Sequence, residues 1–457
     1  MPARTLSVDA LLGALRLRRV ATARALGEVL GVSQPTISRV LAAAGQQVTG
    51  IGQARSRRYA AVREVRGLGS RWPLFRIDER GQPQAFGQLL ALHGDGCQVT
   101  VEHPPPWLRG EFADGLFPGL PWFIDDMRPQ GFLGRAFAQR HARELGLRDD
   151  ILTWNADDVL VALLRHGDDS PGHFVLGEAA LEQALRRQPL PLPARARAKH
   201  YGALADVTLA GERVGSSAAG EQPKFTTCVE QANGSLRHVI VKFSEPVAGN
   251  PVGQRWADLL ICEHLASEVL REHGQPSART ELITSGGRLC LESTRFDRLG
   301  AHGRRGVVSL AAWSDAHDGV RDDWASAAGR MRRDGWLSAA AAEQVQQLRW
   351  FGRMIGNTDM HFGNLGFFLD DALPLQLAPS YDMLPMLYRP AANGGIAPRD
   401  YQPPPPSPTA LAHWQQATGW AMQLWQQASR HAQISAGFRQ LATGNHARLA
   451  QLRERFG

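Results

Sequence analysis

Cysteine, lysine and long apolar runs are what this sequence has least of. Its four cysteines are Cys97, Cys228, Cys262 and Cys290. No two form a C-x-x-C pair, which argues against a zinc ribbon and a disulfide framework and fits a reducing, cytoplasmic compartment. No stretch approaches the ~18 consecutive apolar residues that a membrane helix needs, so no membrane partner is expected. The first residues show no basic-then-apolar export signal, so export is not expected either. Only three lysines occur, Lys199, Lys224 and Lys242, among 51 basic residues. Arginine is a planar fork and lysine a compact charge on a flexible stem. A lysine that persists in so arginine-rich a chain is therefore a candidate for a place that arginine cannot fill.

What is present is ordinary globular material. Hydrophobic residues make up 43% and charged residues 21% of 457 positions, which rules out wholesale disorder. A chain of this length is expected to split into about three domains. The net charge of +7 is unevenly spread. The first 66 residues hold eleven arginines against Asp9, Glu28 and Glu64, and the remainder is close to neutral. A basic module on a neutral body is the footprint of polyanion binding.

Residues 20–31 have the spacing of a short amphipathic helix ended by Gly31. Ser33 and Pro35 suit the first turn of a second helix, with Ile37, Val40 and Leu41 inward and Gln34, Thr36, Ser38 and Arg39 outward. This layout resembles prokaryotic helix–turn–helix modules. Residues 48–52 and 57–62 then flank a Gly/Arg turn, as in a winged version. Ser33, Gln34, Thr36, Ser38 and Arg39 are the candidates to read base edges, and the wing residues Arg55, Arg57 and Arg58 to neutralise phosphates. The competing reading is a helical hairpin used for protein contact. From residue 70 to about 180 several Pro/Gly turns interrupt short apolar runs, residues 139–164 read as helical, and neither a repeat nor a catalytic grouping is visible.

The second half carries the chemistry. Residues 215–225 read GSSAAGEQPKF, a small-residue loop whose N–H groups can approach a phosphate but whose spacing is not that of a Walker A motif. Residues 238–243, HVIVKF, read as a strand with Lys242 on the face opposite Val239, Val241 and Phe243. A lysine in an apolar strand needs an anionic partner, either a nucleotide phosphate or a carboxylate such as Glu263 of the following helix. In GNTDMHFGNLG, residues 356–366, Asp359 and Asn364 stand five apart, the offset of Asp and Asn in a kinase catalytic loop. Residues 365–369 and 375–378 read as a hairpin leading to SYDMLP, where Asp382 follows a strand as a kinase's metal-binding Asp does. Singly these residues are ordinary turn formers. Together, and in this order, they are the parts of phosphoryl transfer: loop, lysine, base and two oxygen ligands for a metal.

These segments resemble the HipA-like serine/threonine kinases of bacterial toxin–antitoxin systems, from about residue 72 to the C-terminus. SAAGEQPK (residues 217–224) is similar to the family's S-x-A-G-x-Q-x-K loop, NTDMHFGN to its N-x-D-x-H-x-x-N catalytic loop and SYDMLP to its D-x-L-P segment. The resemblance implies an α+β, bilobal, protein-kinase-like fold that binds ATP and Mg²⁺. It implies Asp359 as base and Lys242 as phosphate holder, with Asn364 and Asp382 as metal ligands. Ser217, Ala218, Ala219, Gly220, Lys224, Thr294, Phe296 and His361 would lie around the nucleotide. Thr294 stands where the family's hinge has Glu, and residues 309–318 stand where it has an acidic E-D-x-x-Q segment. Ser217, with Ser216 beside it, matches a serine that is autophosphorylated in the family to switch the kinase off.

The expected organisation is a winged helix–turn–helix over residues 1–66 and a HipA-like N-terminal subdomain over 70–180. A kinase N-lobe over 181–300 and a mostly helical C-lobe over 301–457 would come after them. Typical family members lack the first unit and pair with a separate DNA-binding antitoxin, so here either the fused module takes that role or a partner still does. The expected function is an autophosphorylating Ser/Thr protein kinase with promoter DNA as a second partner. By family analogy the protein acceptor is a translation factor or an aminoacyl-tRNA synthetase. The alternatives are a nucleotide-sensing regulator without turnover and a small-molecule kinase.

Overall fold

The computed structural model describes residues 6–53, 56–210, 222–391 and 393–456. Arg55, Ser216, Ser217, Ala218, Ala219 and Gly220 lie outside the described residues. No described helix is long and apolar enough to cross a membrane. The chain divides into two compact units, one of residues 1–77, 83–128 and 152–187, the other of residues 78–82, 129–151 and 188–457.

The first unit opens with helix α1 (Val8–Arg18), which the sequence pattern did not reveal. Strand β1 (Val20–Thr22) and helix α2 (Ala23–Leu30) come next, so the helix expected from residue 20 starts three residues later. The reason is local. Thr22 is the N-cap, its side chain accepting the Ala25 N–H at 3.2 Å, and Val20 to Thr22 pair with a later strand. Gly31 ends α2 at φ 65°, ψ 34°, a left-handed cap that glycine adopts without strain. Helix α3 (Gln34–Ala44) begins after Ser33 with Pro35 in its first turn. Leu11, Leu15, Leu26, Ile37 and Val40 form the core of the three helices. Strands β2 (Val48–Ile51) and β3 (Arg58–Ala61) complete a sheet of order β1-β3-β2.

This N-terminal segment shares a core with the second sheet of the same unit. Strands β4 (Arg71–Ile77), β5 (Pro83–Ala91), β6 (Cys97–Thr100), β7 (Leu116–Phe117) and β8 (Phe174–Leu176) form that sheet, of order β7-β6-β5-β4-β8. Ile51 and Ala60 pack with Leu90 and Leu92, and Val62 bridges Leu92. Arg63 reaches Asp95 at 2.8 Å and Asp157 at 3.0 Å, and Arg66 pairs with the buried Asp158. Four of the eleven N-terminal arginines, counting Arg24 with Glu28 and Arg58 with Asp114, are thus neutralised inside this unit.

The single helix expected over residues 139–164 is two. After the short α4 (Trp122–Asp125), α5 (Gly131–Leu145) belongs to the second unit, and α6 (Ala156–His166) and α7 (Glu178–Arg186) to the first. Gly146 stops α5 in a left-handed cap, and Asn155 starts α6 with a capping box closed by Asp158.

The second unit holds a five-stranded sheet of order β12-β13-β11-β10-β9. Its strands are β9 (Leu192–Pro193), β10 (Lys224–Glu230), β11 (Leu236–Phe243), β12 (Thr280–Ser285) and β13 (Arg288–Thr294). One face is apolar: Val239, Val241, Phe243, Phe225 and Cys290 pack with Tyr201 and Ala205 of α8 (Arg197–Ala210). Arg197 and Tyr201 tie α8 to the buried Glu292 at 2.9 and 2.5 Å. Helix α9 (Pro251–Glu272) supplies Glu263 to Lys242, on the opposite face from that apolar cluster. A small hairpin of β14 (Arg298–Leu299) and β15 (Gly303–Arg304) then leads to a sheet of β16 (Val307–Ser309), β17 (Gly366–Phe368) and β18 (Gln376–Leu377). Helices α10 (Leu310–His317), α11 (Trp324–Arg333), α12 (Ala339–Met354), α13 (Leu411–Arg430) and α14 (Ala436–Phe456) complete the unit. Trp414, Trp420 and Trp425 are buried among them, as core packing.

Candidate functional site

The site grows from the pairing of β10 with β11. Lys224 stands directly opposite Lys242 in the antiparallel register, so two of the chain's three lysines share one face of the sheet. Like charges so placed repel unless anions face them. Lys242 Nζ donates to both oxygens of Glu263, at 2.5 and 2.7 Å, and to Asp382 Oδ1 at 2.5 Å. The Lys224 ammonium makes no ion pair with a described residue. Among the described residues it is a cation without an ion-pair partner, and its charge is felt by Glu263 and Asp382.

The three groups at Lys242 settle into one charge pattern. Burial disfavours the ammonium, but Asp382 and Glu263 outweigh it and raise its pKa, so it stays charged. Burial pushes the Asp382 carboxyl up, but the Lys242 and Lys224 charges outweigh it and hold it at about 2. Glu263 moves upward, because its burial and the neighbouring Asp382 outweigh the pull of Lys242.

Asp382 adopts φ 55°, a left-handed conformation uncommon for a residue other than glycine. Its neighbours hold it there. The Asn357 side chain donates to the Asp382 carbonyl at 3.2 Å and accepts the Asp359 N–H at 3.0 Å. One buried amide thus joins the catalytic-type loop to the Asp382 loop. Asn364 donates to the Asp359 carbonyl at 2.9 Å, which leaves its Oδ1 as an available oxygen. The Tyr381 hydroxyl donates to the Gly363 carbonyl at 2.7 Å, a second tie between the two loops. Trp324 Nε1 donates to the His361 carbonyl at 3.1 Å and steadies the loop from α11. The half-buried Asp359 carboxylate accepts no hydrogen bond from a described residue.

Other expected site residues fall at varied distances from this centre. His361 is exposed, and its Nδ1 accepts the Gly363 N–H at 3.1 Å. The Phe296 ring lies 6.0 Å from that of Tyr381 and 5.9 Å from that of Phe368. Thr294 pairs with Val239, so its side chain projects to the face opposite Lys242. Only its backbone remains to touch a base beside Lys242. Glu263, Asn357, Tyr381 and Trp324 were not singled out as site residues from the sequence. Glu263 was weighed there as a partner for Lys242. Asn357 carried the only other signal, as the first residue of the N-x-D motif.

In the first unit, Ser33, Gln34, Ser38 and Arg39 are exposed along one side of α3, and Thr36 is half-buried, with Ser33 Oγ 3.0 Å from its hydroxyl. Arg57 stacks over the Tyr59 ring at 5.6 Å. Arg58 is half-buried and ion-paired with Asp114.

Comparison with known proteins shows the family and the fold. A family model of the HipA-like C-terminal domain matches residues 216–450, and a model of the YjjJ-like toxin, middle domain, matches residues 68–185. Toxin YjjJ of Escherichia coli (strain K12) is 37% identical over 447 residues, covering 96% of this chain and 97% of that protein. Among solved structures, a chain from the Shewanella oneidensis MR-1 complex of HipA, HipB and operator DNA superposes with a TM-score of 0.55. It is 15% identical and covers 84% of this chain and 97% of its own, a likeness of fold alone. With a domain match over half the chain and a relative matched almost end to end, the protein belongs to the HipA-like toxin family.

Proposed function

We propose that the chain is an ATP- and Mg²⁺-dependent serine/threonine protein kinase of the HipA toxin type, able to phosphorylate itself, whose N-terminal module binds promoter DNA. The observation that carries the reading is the pair of contacts at Lys242. A single ammonium bridges a helix carboxylate and the carboxylate after β18, while Asn357 ties that second loop to Asp359. The donor set fits a metal–triphosphate. Lys224 and Lys242 offer two cations on one face, and Asp382 and Asn364 offer two hard oxygens of the kind Mg²⁺ takes. Bound Mg²⁺ would supply charge neutralisation on the phosphates. Asp359, whose carboxylate bonds no described residue, would accept the proton of a hydroxyl. Asn357 and Tyr381 would keep it in register with Asp382.

Calorimetric titration tests the nucleotide part. ATP is expected to bind with Mg²⁺ present and to stabilise the protein by about 2.7 kcal/mol at a concentration of 100 Kd. Equal, weak heats with and without Mg²⁺ would contradict it.

The DNA part is supported by the exposed polar side of α3, the stacked Arg57 and the arginine excess of residues 1–66. The HipA–HipB–operator complex provides a precedent for DNA and a separate antitoxin as partners. Arg57→Ala is expected to lower affinity for the protein's own promoter and to reduce the slope of log affinity against log salt by about 1. Arg58→Ala should leave that slope unchanged and lower the melting temperature instead, since it breaks the bond to Asp114. A larger slope change for Arg58→Ala would reverse the assignment of these two wing residues.

A further inference from the structure

The His361 carbonyl is a junction in the loop that carries Asp359. It accepts the Asn364 N–H at 3.0 Å, and the Asn364 side chain in turn donates to the Asp359 carbonyl at 2.9 Å. A second donor reaches the same carbonyl from outside the loop, the indole Nε1 of the buried Trp324, at 3.1 Å. Water could satisfy that carbonyl as well. What the indole adds is a fixed direction, and a reacting group displaced by about 1 Å can cost up to 10²-fold in rate.

Trp324 is the first residue of α11, and the turn before it is built by charge. Arg330 of the same helix reaches back with Nε to Asp318 at 2.7 Å and with Nη1 and Nη2 to both Asp322 oxygens at 2.7 and 3.0 Å. Its Nη2 also donates to the Val320 carbonyl at 3.3 Å. Asp318 Oδ1 accepts the Val320 N–H at 2.9 Å and the Ser314 hydroxyl at 2.8 Å. Asp323 then caps α11 by accepting the Ala325 N–H at 3.0 Å, and Arg349 of α12 holds its carboxylate at 2.6 Å. One guanidinium thus closes residues 318–323, and a second fastens them to α12. Arg330's bonds are the largest cause holding Asp322 below the usual carboxylate range, so this pairing is charged at neutral pH. The turn also meets the loop one residue further on. Arg321, bonded to Asp315 at 2.8 Å, lies over the Phe362 ring at 5.4 Å.

We propose that Trp324 is a positioning residue for phosphoryl transfer and that Arg330 acts through it. The guanidinium sets the turn, the turn sets the indole, and the indole sets the carbonyl that orders Asn364 and Asp359. The inference rests on the kinase reading, since Asp359 and Asn364 give that position its use.

The test compares Trp324→Phe, Arg330→Lys and the double variant in the full-length protein. The first keeps an aromatic ring and removes the donor, and the second keeps the charge and removes the fork. Each is expected to slow phosphate incorporation at saturating ATP and Mg²⁺ by about fivefold or more, the net worth of one hydrogen bond. ATP affinity by calorimetry with Mg²⁺ should stay within about twofold, as for an interaction that serves the transition state. Hydrogen exchange should quicken in the peptide of residues 357–366 and not in α9. The double variant should be no slower than Trp324→Phe alone, because the two residues act in series. A rate that does not fall in Trp324→Phe, or falls only in step with ATP affinity, would overturn the proposal and make the indole a packing residue. Unchanged exchange in the loop would overturn it too. Losses that multiply in the double variant would overturn the link from Arg330. Should Trp324→Phe melt early, Arg330→Lys, whose partners are partly exposed, carries the same comparison. A wild type that binds ATP and incorporates no phosphate would instead overturn the kinase reading, and the proposal with it.

Discussion

Lys242→Met is expected to destabilise the second unit and silence phosphoryl transfer together. The ammonium contacts three carboxylate oxygens within 2.7 Å, and Glu263 is buried. Methionine fills the stem but leaves two carboxylates facing each other in a low-dielectric site, and breaking a buried pair this way typically costs about 3–5 kcal/mol. For a unit of this size that corresponds to a fall in melting temperature of roughly 10 °C.

The loss should depend on pH with a definite sign. In the wild type Asp382 is held at about 2, below its unfolded value. Its contribution is therefore fully present above about pH 4 and is lost only as pH falls through about 2. In the variant the Lys242 charge is gone, and burial, the largest influence on both carboxylates, is opposed by less positive charge, that of Lys224, so both take up protons more readily when folded than when unfolded. Acidification from pH 7 to 5 then stabilises the variant relative to the wild type, and the gap in melting temperature narrows. A gap that widens over that range would contradict the triad described here. Phosphate incorporation should vanish at both pH values.

Asp359→Asn is the complementary case, a large loss of activity without loss of stability. The backbone of residue 359 is held through its N–H by Asn357 and through its carbonyl by Asn364, and both bonds survive the substitution. Its carboxylate bonds no described residue, so the amide is accommodated. A removed general base costs about 10²–10⁴ in rate, and incorporation of radiolabelled phosphate should fall by that much. The melting temperature is expected to stay within about a degree of wild type, since both backbone bonds to Asn357 and Asn364 are kept and the substitution removes no side-chain bond to a described residue. A variant that unfolds early would make Asp359 a structural residue.

Much of the second unit was legible because its chemistry is local in sequence. Alternation placed Lys242 on the face opposite Val239, Val241 and Phe243, and the strand register bears this out. The rarity of lysine drew attention to Lys224 and Lys242, and the structure sets them opposite each other. The hairpin before Asp382 was readable from two apolar runs around a turn. What could not be read was long-range. Nothing in the order of residues tells that Asn357 reaches the Asp382 carbonyl, or that Trp324 reaches the His361 carbonyl. Thr294 was picked for its place in a motif, whereas register decides which face its side chain takes. Arg58 read as a surface charge because Asp114, its partner, is 56 residues away. The helix boundary at Thr22 was lost to a three-residue strand whose partner lies near residue 60. Such short strands are specified by pairing, not by their own composition.

The intact mass of the wild-type protein after incubation with ATP and Mg²⁺ tests the central claim most directly, because it reads covalent phosphate without assuming an acceptor. The account predicts a gain of whole phosphate units, mapped by peptide sequencing to Ser217 or Ser216 and absent from Asp359→Asn. A mass that does not change while calorimetry shows ATP bound with Mg²⁺ would contradict phosphoryl transfer and leave a nucleotide sensor in its place.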